Sequence, residues 1–206
     1  MHWKEVNKEL GNIDIYWLDF ILKGYLRDGA KILDVGCGEG RNLIYCMKNG
    51  HDIFGIDKNE QAIYFIKLLA RQFDVSDIEA RFKLMDATKL IFPNKSFDVV
   101  LSSAVFHFAE NALDFDTMWS EAARILKPGG SLVVRAMTTH FLSEAEQKVP
   151  NAELFTDKSG HSYYLLNDKF IDSISQKYGL EWIEPFKYVQ VGNKRSMATC
   201  FLRKNT

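Results

Sequence analysis

Ile32-Leu33-Asp34-Val35-Gly36-Cys37-Gly38-Glu39-Gly40-Arg41-Asn42 decides the fold. Its first half is a short apolar run of buried-strand character; its second half is a glycine-rich turn that opens a helical pattern over Gly40 to Lys48. Gly36, Gly38 and Gly40 remove the side chains that would hold a ligand off the main chain, and they permit positive φ. A helix start offers unpaired N–H groups and the positive end of its dipole to an electron-rich group, so the stretch reads as a nucleotide-type site. The spacing narrows the ligand. A dinucleotide fingerprint, G-x-G-x-x-G, needs its third glycine where Arg41 stands, and no G-x-x-x-x-G-K-[ST] run is present. Asp34 puts a negative charge where a pyrophosphate would lie, which suits a cationic ligand instead.

Outward from this turn the chain alternates strand and helix, the pattern of an α/β fold. His51 to Asp57 reads as a second strand. Asp57 follows the glycine turn by about 20 residues, the offset at which a neighbouring parallel strand presents a carboxylate to ribose hydroxyls. Its two oxygens can accept from a cis-diol, and Lys58 and Asn59 border the same place. Asn59 caps a helix with Ala62, Ile66, Leu69, Ala70 and Phe73 on one face. A third strand is expected near Ala80 to Leu84, followed by Met85-Asp86-Ala87, and Phe97 to Ser103 reads as a central strand. A helix over Asn111 to Leu126 stops at Lys127-Pro128-Gly129-Gly130 before the strand Ser131 to Arg135.

Strand, Asp-x-Gly-x-Gly-x-Gly and helix resemble the first motif of the class I S-adenosylmethionine-dependent methyltransferases, and Leu-Lys-Pro-Gly-Gly before a strand is a second feature of that family. The resemblance implies a Rossmann-like, seven-stranded, mostly parallel sheet with helices on both faces and a C-terminal antiparallel strand. It implies S-adenosyl-L-methionine as cofactor, with Asp34 near its amino group, Asp57 on the ribose, Asp86 on the adenine amino group and Met85 or Ala87 against the ring. The expected cofactor-binding set is Asp34, Gly36, Cys37, Gly38, Gly40, Asn42, Asp57, Lys58, Asp86, Ala87 and Ser102. Family members that methylate planar amide or amino nitrogens carry Asn/Asp-Pro-Pro-aromatic after the fourth strand. Here Ser102-Ser103-Ala104-Val105-Phe106-His107-Phe108 has no proline, which sets those substrates aside. His107 is the first candidate for a general base towards a hydroxyl nucleophile, although a histidine near this place is frequent in the family without acting in catalysis. Gly-Arg-Asn at the turn, Ile-Asp-Lys-Asn after the second strand and the closing Met-Ala-Thr-Cys-Phe-Leu-Arg-Lys are similar to the TehB-type tellurite-resistance and thiopurine methyltransferases.

The remaining features set the context. The 206 residues are 47% hydrophobic and 26% charged, an ordinary composition for one globular domain. A net charge of −1 with interleaved signs recommends neither nucleic acid nor an anionic membrane, and a small-molecule methyl acceptor is expected. No signal-peptide pattern or membrane-length apolar run is seen, so the expectation is a cytoplasmic monomer or homodimer. Cys37, Cys46 and Cys200 show no metal-ligand or disulfide spacing, and no metal is expected. Cys37 is a candidate thiolate at a helix start or a small residue that fits the turn. Residues 1–28 are expected as an N-terminal helical cap, whose Asp14 to Leu26 helix packs through Ile15, Leu18, Leu22, Tyr25 and Leu26, with Trp3, Tyr16 and Trp17 as an aromatic cluster. Residues 29–136 form the cofactor-binding core, 137–166 a substrate lid, and 167–206 a helix with a strand pair around Leu180–Val191 and Ser196–Arg203. The reaction expected is in-line methyl transfer to a thiol, metalloid oxyanion or hydroxyl. The alternatives are a protein or RNA methyltransferase, and a module that binds S-adenosylmethionine without catalysis.

Overall fold

The computed structural model describes residues 2–143, 146 and 153–206, with only the backbone of Ser175. Residues 144, 145 and 147–152 of the expected lid lie outside the described residues. The central sheet runs β3-β2-β1-β4-β5-β10-β8, with β9 also on β10. Its strands are β1 (Lys31–Val35), β2 (Asp52–Asp57), β3 (Phe82–Leu84), β4 (Phe97–Ser103), β5 (Leu126–Met137), β8 (Leu180–Trp182), β9 (Lys187–Val191) and β10 (Arg195–Lys204). The lanes from β3 to β5 are parallel, and β10 runs antiparallel to β5 with Met197 opposite Met137 and Arg203 opposite Ser131. β8 and β9 lie end to end along the other edge of β10. One strand was expected across Leu180–Val191. It is broken between Trp182 and Lys187, where Pro185 has no N–H to give to a ladder. The eight strands therefore fill the seven expected lanes.

Side chains alternate across the sheet and divide the core in two. Leu33, Val35 and Val100 face α6 (Ala112–Ile125) and α7 (Asp168–Tyr178) through Phe115, Trp119, Ala122, Ile171 and Ile174. Ile32, Val99 and Leu101 face α2 (Ile15–Leu22), α3 (Ile44–Lys48) and α4 (Glu60–Gln72) through Trp17, Phe20, Cys46, Ile63 and Ile66. Asn59 and Asn111 cap α4 and α6 by accepting from first-turn amides. A four-residue helix, α5 (Ile78–Arg81), occupies part of the stretch expected as the third strand.

The N-terminal segment differs from its expected packing. α1 (Trp3–Leu10) precedes α2 and buries no residue. In α2 the buried side chains are Trp17 and Phe20, which stack at 5.4 Å, whereas Ile15 and Leu22 are 67% and 76% exposed. The helix is apolar nearly all round, so periodicity alone did not pick the inward face. The aromatic trio separates: Trp3 is exposed, Trp17 is in the core, and Tyr16 lies under the Arg135 guanidinium. Beyond β5, a 3-10 turn over Thr139–Phe141 leads towards the hairpin β6 (Leu154–Thr156) and β7 (Ser162–Tyr164).

Candidate functional site

The site lies where the strand order reverses, at the carboxyl ends of β1 and β4, the usual ligand crevice of an open parallel sheet. Leaving β1, the chain turns at Gly36 with φ +71°, and a Cβ there would stand 2.2 Å from Val105 Cγ2, so no other residue fits. The Gly36 and Cys37 amides donate to the Ile56 carbonyl at 2.8 and 2.9 Å, sewing the turn to β2. Asp57, ending β2, accepts from Gly38 N–H at 2.9 Å with Oδ2 and from Asn59 N–H at 2.9 Å with Oδ1. Each oxygen keeps acceptor capacity for a further donor. The helix expected from Gly40 begins only at Ile44, and its approach is a series of turns, Gly40 N–H to Cys37 C=O and Leu43 N–H to Gly40 C=O. Two of the amides expected to stand free at a helix start, those of Gly40 and Leu43, are thus spent inside the protein.

A cavity of about 380 Å³ opens above the turn. Val35, Gly36, Asp57 and Lys58 form one wall, Met85 and Ala87 a second, and Ser103, Ala104 and Val105 a third, with Phe108 and Met118 at the far side. Lys58, in the first wall, has its Nζ 2.7 Å from Asp86 Oδ2. Asp86 Oδ1 accepts from Thr88 N–H at 2.7 Å and Thr88 Oγ at 2.8 Å. Burial pushes the Asp86 carboxyl up, but the Lys58 ammonium and the Thr88 donors outweigh it and hold it below the usual range.

The other expected residues stand behind these walls. Asp34 is 1% exposed, and neither of its oxygens has a hydrogen-bond partner among the described residues. Burial pushes its carboxyl up to about 8; the Arg41 guanidinium pulls it down, and the Asp57 and Asp14 carboxylates push it up. Cys37 packs into the core, where a Cβ on Gly55 would meet its Sγ at 2.8 Å. Burial, with Asp34 and Asp57 nearby, lifts its thiol well above the ordinary value, which corrects the thiolate reading and leaves the small residue that fits. Gly40 packs on Ile66 and Leu69 of α4. Asn42 faces the N-terminal segment: its Oδ1 accepts from Asp14 N–H at 2.9 Å and its carbonyl from Trp17 Nε1 at 3.0 Å. Ser102 is fully buried with an unpartnered Oγ, and its neighbour Ser103 occupies the cavity wall.

His107 lies in the 3-10 turn Phe106–Phe108 that follows β4. Its Nδ1 accepts from Met137 N–H at 3.3 Å, which places the proton of the neutral ring on Nε2. Burial, then the Arg135 guanidinium, depress its pKa to about 4. Tyr163 of β7 approaches the rings of His107 and Phe108 at 5.9 and 5.5 Å, and its hydroxyl donates to Asp157 at 3.1 Å.

Sequence reasoning missed Ser103, Val105, Phe108 and Met118, and with them Asp14 and Arg135. The signal for Asp14 was present, an aspartate just before an apolar helical run, where an N-cap belongs. It accepts from Tyr16 and Trp17 N–H at 3.0 and 3.4 Å.

Comparison with known proteins agrees with this architecture. Residues 33–134 match the family model described as a methyltransferase domain. The fatty-acid O-methyltransferase of Mycolicibacterium smegmatis is 32% identical over 130 residues, 62% of this chain and 44% of that one. This chain spans less than half the length of that relative. A SAM-dependent methyltransferase structure from Methanosarcina mazei superposes with a TM-score of 0.71 at 22% identity, covering 90% of this chain and 97% of that one. Another, the 1,6-didemethyltoxoflavin-N1-methyltransferase of Burkholderia thailandensis with bound S-adenosylhomocysteine, gives 0.71 at 17% identity over 98% of this chain and 82% of that one. The glycine turn, the strand order and these matches agree: residues 33–134 match a methyltransferase domain, and the chain has the fold of the S-adenosylmethionine-dependent methyltransferases it resembles.

Proposed function

We propose that this protein transfers a methyl group from S-adenosylmethionine to a small, largely apolar acceptor. The observation that carries the reading is the pair of carboxylates framing the glycine turn. Asp34 is a buried acid with no hydrogen-bond partner among the described residues, directly preceding the cavity residues Val35 and Gly36, and the cationic amino group of the methionine moiety supplies the charge it lacks. Asp57 is held by two backbone amides with acceptor capacity left for ribose hydroxyls. Met85 and Ala87 offer an apolar slot for the adenine, and Asp86 and Lys58 border it. The residues present therefore fit this cofactor, and its bound sulfonium brings a methyl carbon already activated for displacement. The chain's own task is to bind, align and exclude water.

The nature of the wall supports the acceptor class. Val105, Phe108 and Met118 are apolar, and Lys58, the one basic residue among the described lining residues, is paired with Asp86. His107 neither opens a free lone pair to the cavity nor titrates near neutrality, which favours an acceptor whose nucleophile needs little help from a base: a thiol, an acidic phenol or hydroquinone, or a carboxylate. Tyr163, its ring 5.5 Å from that of Phe108, sets the β6–β7 hairpin beside the wall and makes it the candidate acceptor side. Incubation with methyl-labelled S-adenosylmethionine and a panel of thiols, phenols and fatty acids, beside RNA and protein fractions, tests this. Label in an organic-soluble small molecule is expected; label confined to RNA or protein would overturn it.

A further inference from the structure

Asp14 makes contacts beyond those an N-cap requires. While Oδ1 caps α2, Oδ2 accepts from Ser103 Oγ at 3.1 Å and from Arg135 Nη1 at 2.7 Å, and Arg41 Nη2 stands 3.8 Å away. The carboxylate is 2% exposed, and the Asp14 amide donates to Asn42 Oδ1. One residue thus ties the N-terminal segment to the glycine turn through Asn42 and to the end of β4 through Ser103. The wall it reaches is strained. Ala104 has φ +63°, a left-handed conformation costly for a residue with a Cβ, and its N–H donates to the Arg135 carbonyl at 2.7 Å. Arg135 therefore holds this turn by its main chain while its side chain grips Asp14 and covers the Tyr16 ring, 5.2 Å from its centroid.

We propose that Asp14 is a positioning residue of the cofactor site: its carboxylate bolts the N-terminal segment to Arg135 and to the cavity wall at Ser103, fixes the Ser103–Val105 turn, and adds a negative charge to the field around Asp34. The proposal rests on the cofactor reading above. Neither the glycine turn nor the strand ends are then sufficient for the site, because α2 belongs to it as well. The groups facing Asp34 are Arg41 on the turn, Asp57 on β2 and Asp14 on the N-terminal segment, with Arg135 on β5 in turn facing Asp14 and His107. Removing the Asp14 charge leaves Arg41 and Arg135 less compensated, so Asp34 ionises at lower pH.

Asp14→Asn is the informative substitution, since asparagine is as good an N-cap as aspartate and keeps the amide and the shape, so that α2 still forms. Calorimetric titration with S-adenosylhomocysteine between pH 6 and 9 is expected to show Asp14→Asn binding at least about tenfold more weakly at pH 9, with the pH dependence displaced to lower pH than in the wild type. Ser103→Ala, which deletes one contact and no charge, weakens binding without displacing the profile. Equal affinity and an unmoved profile in a folded Asp14→Asn overturn the proposal and leave the cofactor reading intact. Absence of S-adenosylhomocysteine binding to the wild type overturns both.

Discussion

Replacing Asp34 with asparagine should make the free protein more stable and a poorer binder of its cofactor. Asp34 is buried without a hydrogen-bond partner among the described residues, and its carboxyl stands at about 8 in the fold against 3.8 when exposed. Because the folded value is the higher one, the folded state holds a proton that the unfolded chain has released anywhere between these limits. Stability attributable to this residue therefore falls as pH rises from about 4 to about 8 and then levels off. A gap of about four pH units at about 1.4 kcal/mol each makes the loss ~6 kcal/mol above pH 8. Asparagine resembles the protonated acid in shape and cannot ionise, so it escapes the loss. Urea unfolding of wild type and Asp34→Asn at pH 4.5, 6.5 and 8.5 measures the difference directly. The two should be close at the lowest pH and diverge in favour of the variant as pH rises, while S-adenosylmethionine binding weakens at least about tenfold. Parallel stability profiles, or a variant less stable at pH 8.5, would refute the reasoning, because Asp34 would then have a partner that this geometry lacks.

Cofactor binding at pH 7 should release a proton from Asp34, seen as a calorimetric heat that varies with the ionisation enthalpy of the buffer; an invariant heat would contradict it. Gly36→Ala combines a left-handed φ with a Cβ 2.2 Å from Val105 Cγ2 and should cost about 2–4 kcal/mol in urea unfolding, of which Val105→Ala restores the steric part alone. His107 stands at about 4 in the fold against 6.5 exposed, so wild-type stability attributable to it falls as pH drops from about 6.5 to 4. His107→Gln should lack that fall. It should also leave the shape of the activity profile above pH 6 unchanged, and an inflection near 7 that vanishes in the variant would restore His107 as a base.

The parts legible in the sequence are those that main-chain geometry dictates. Gly36 is forced by its φ and by Val105, Asp57 by its place at the end of β2, and Asn59 and Asn111 by their caps, and each such demand leaves a local signature. What periodicity could not give was the choice between two apolar faces. Ile15 and Leu22 look as buriable as Trp17 and Phe20, and only the seat against Phe201 and Asn42 selects the latter pair. Ser102 and Ser103 differ by one step of a strand, which sends one side chain into the core and the other to the cavity. Asp14, Ser103 and Arg135 lie far apart in sequence and meet only in the fold, so no local pattern could have joined them. The expected strand over Leu180–Val191 carried its own warning in Pro185.

The central claim is that the glycine turn and Asp57 hold an adenosyl sulfonium cofactor. Calorimetric titration of the purified protein with S-adenosylmethionine, S-adenosylhomocysteine and NAD, repeated on Asp57→Ala, tests it most directly. Both adenosyl compounds should bind and NAD should not, with a loss in the variant of at least about 1.4 kcal/mol, tenfold in affinity. Tight binding of NAD with no binding of either adenosyl compound would contradict the cofactor assignment and the methyl transfer built on it.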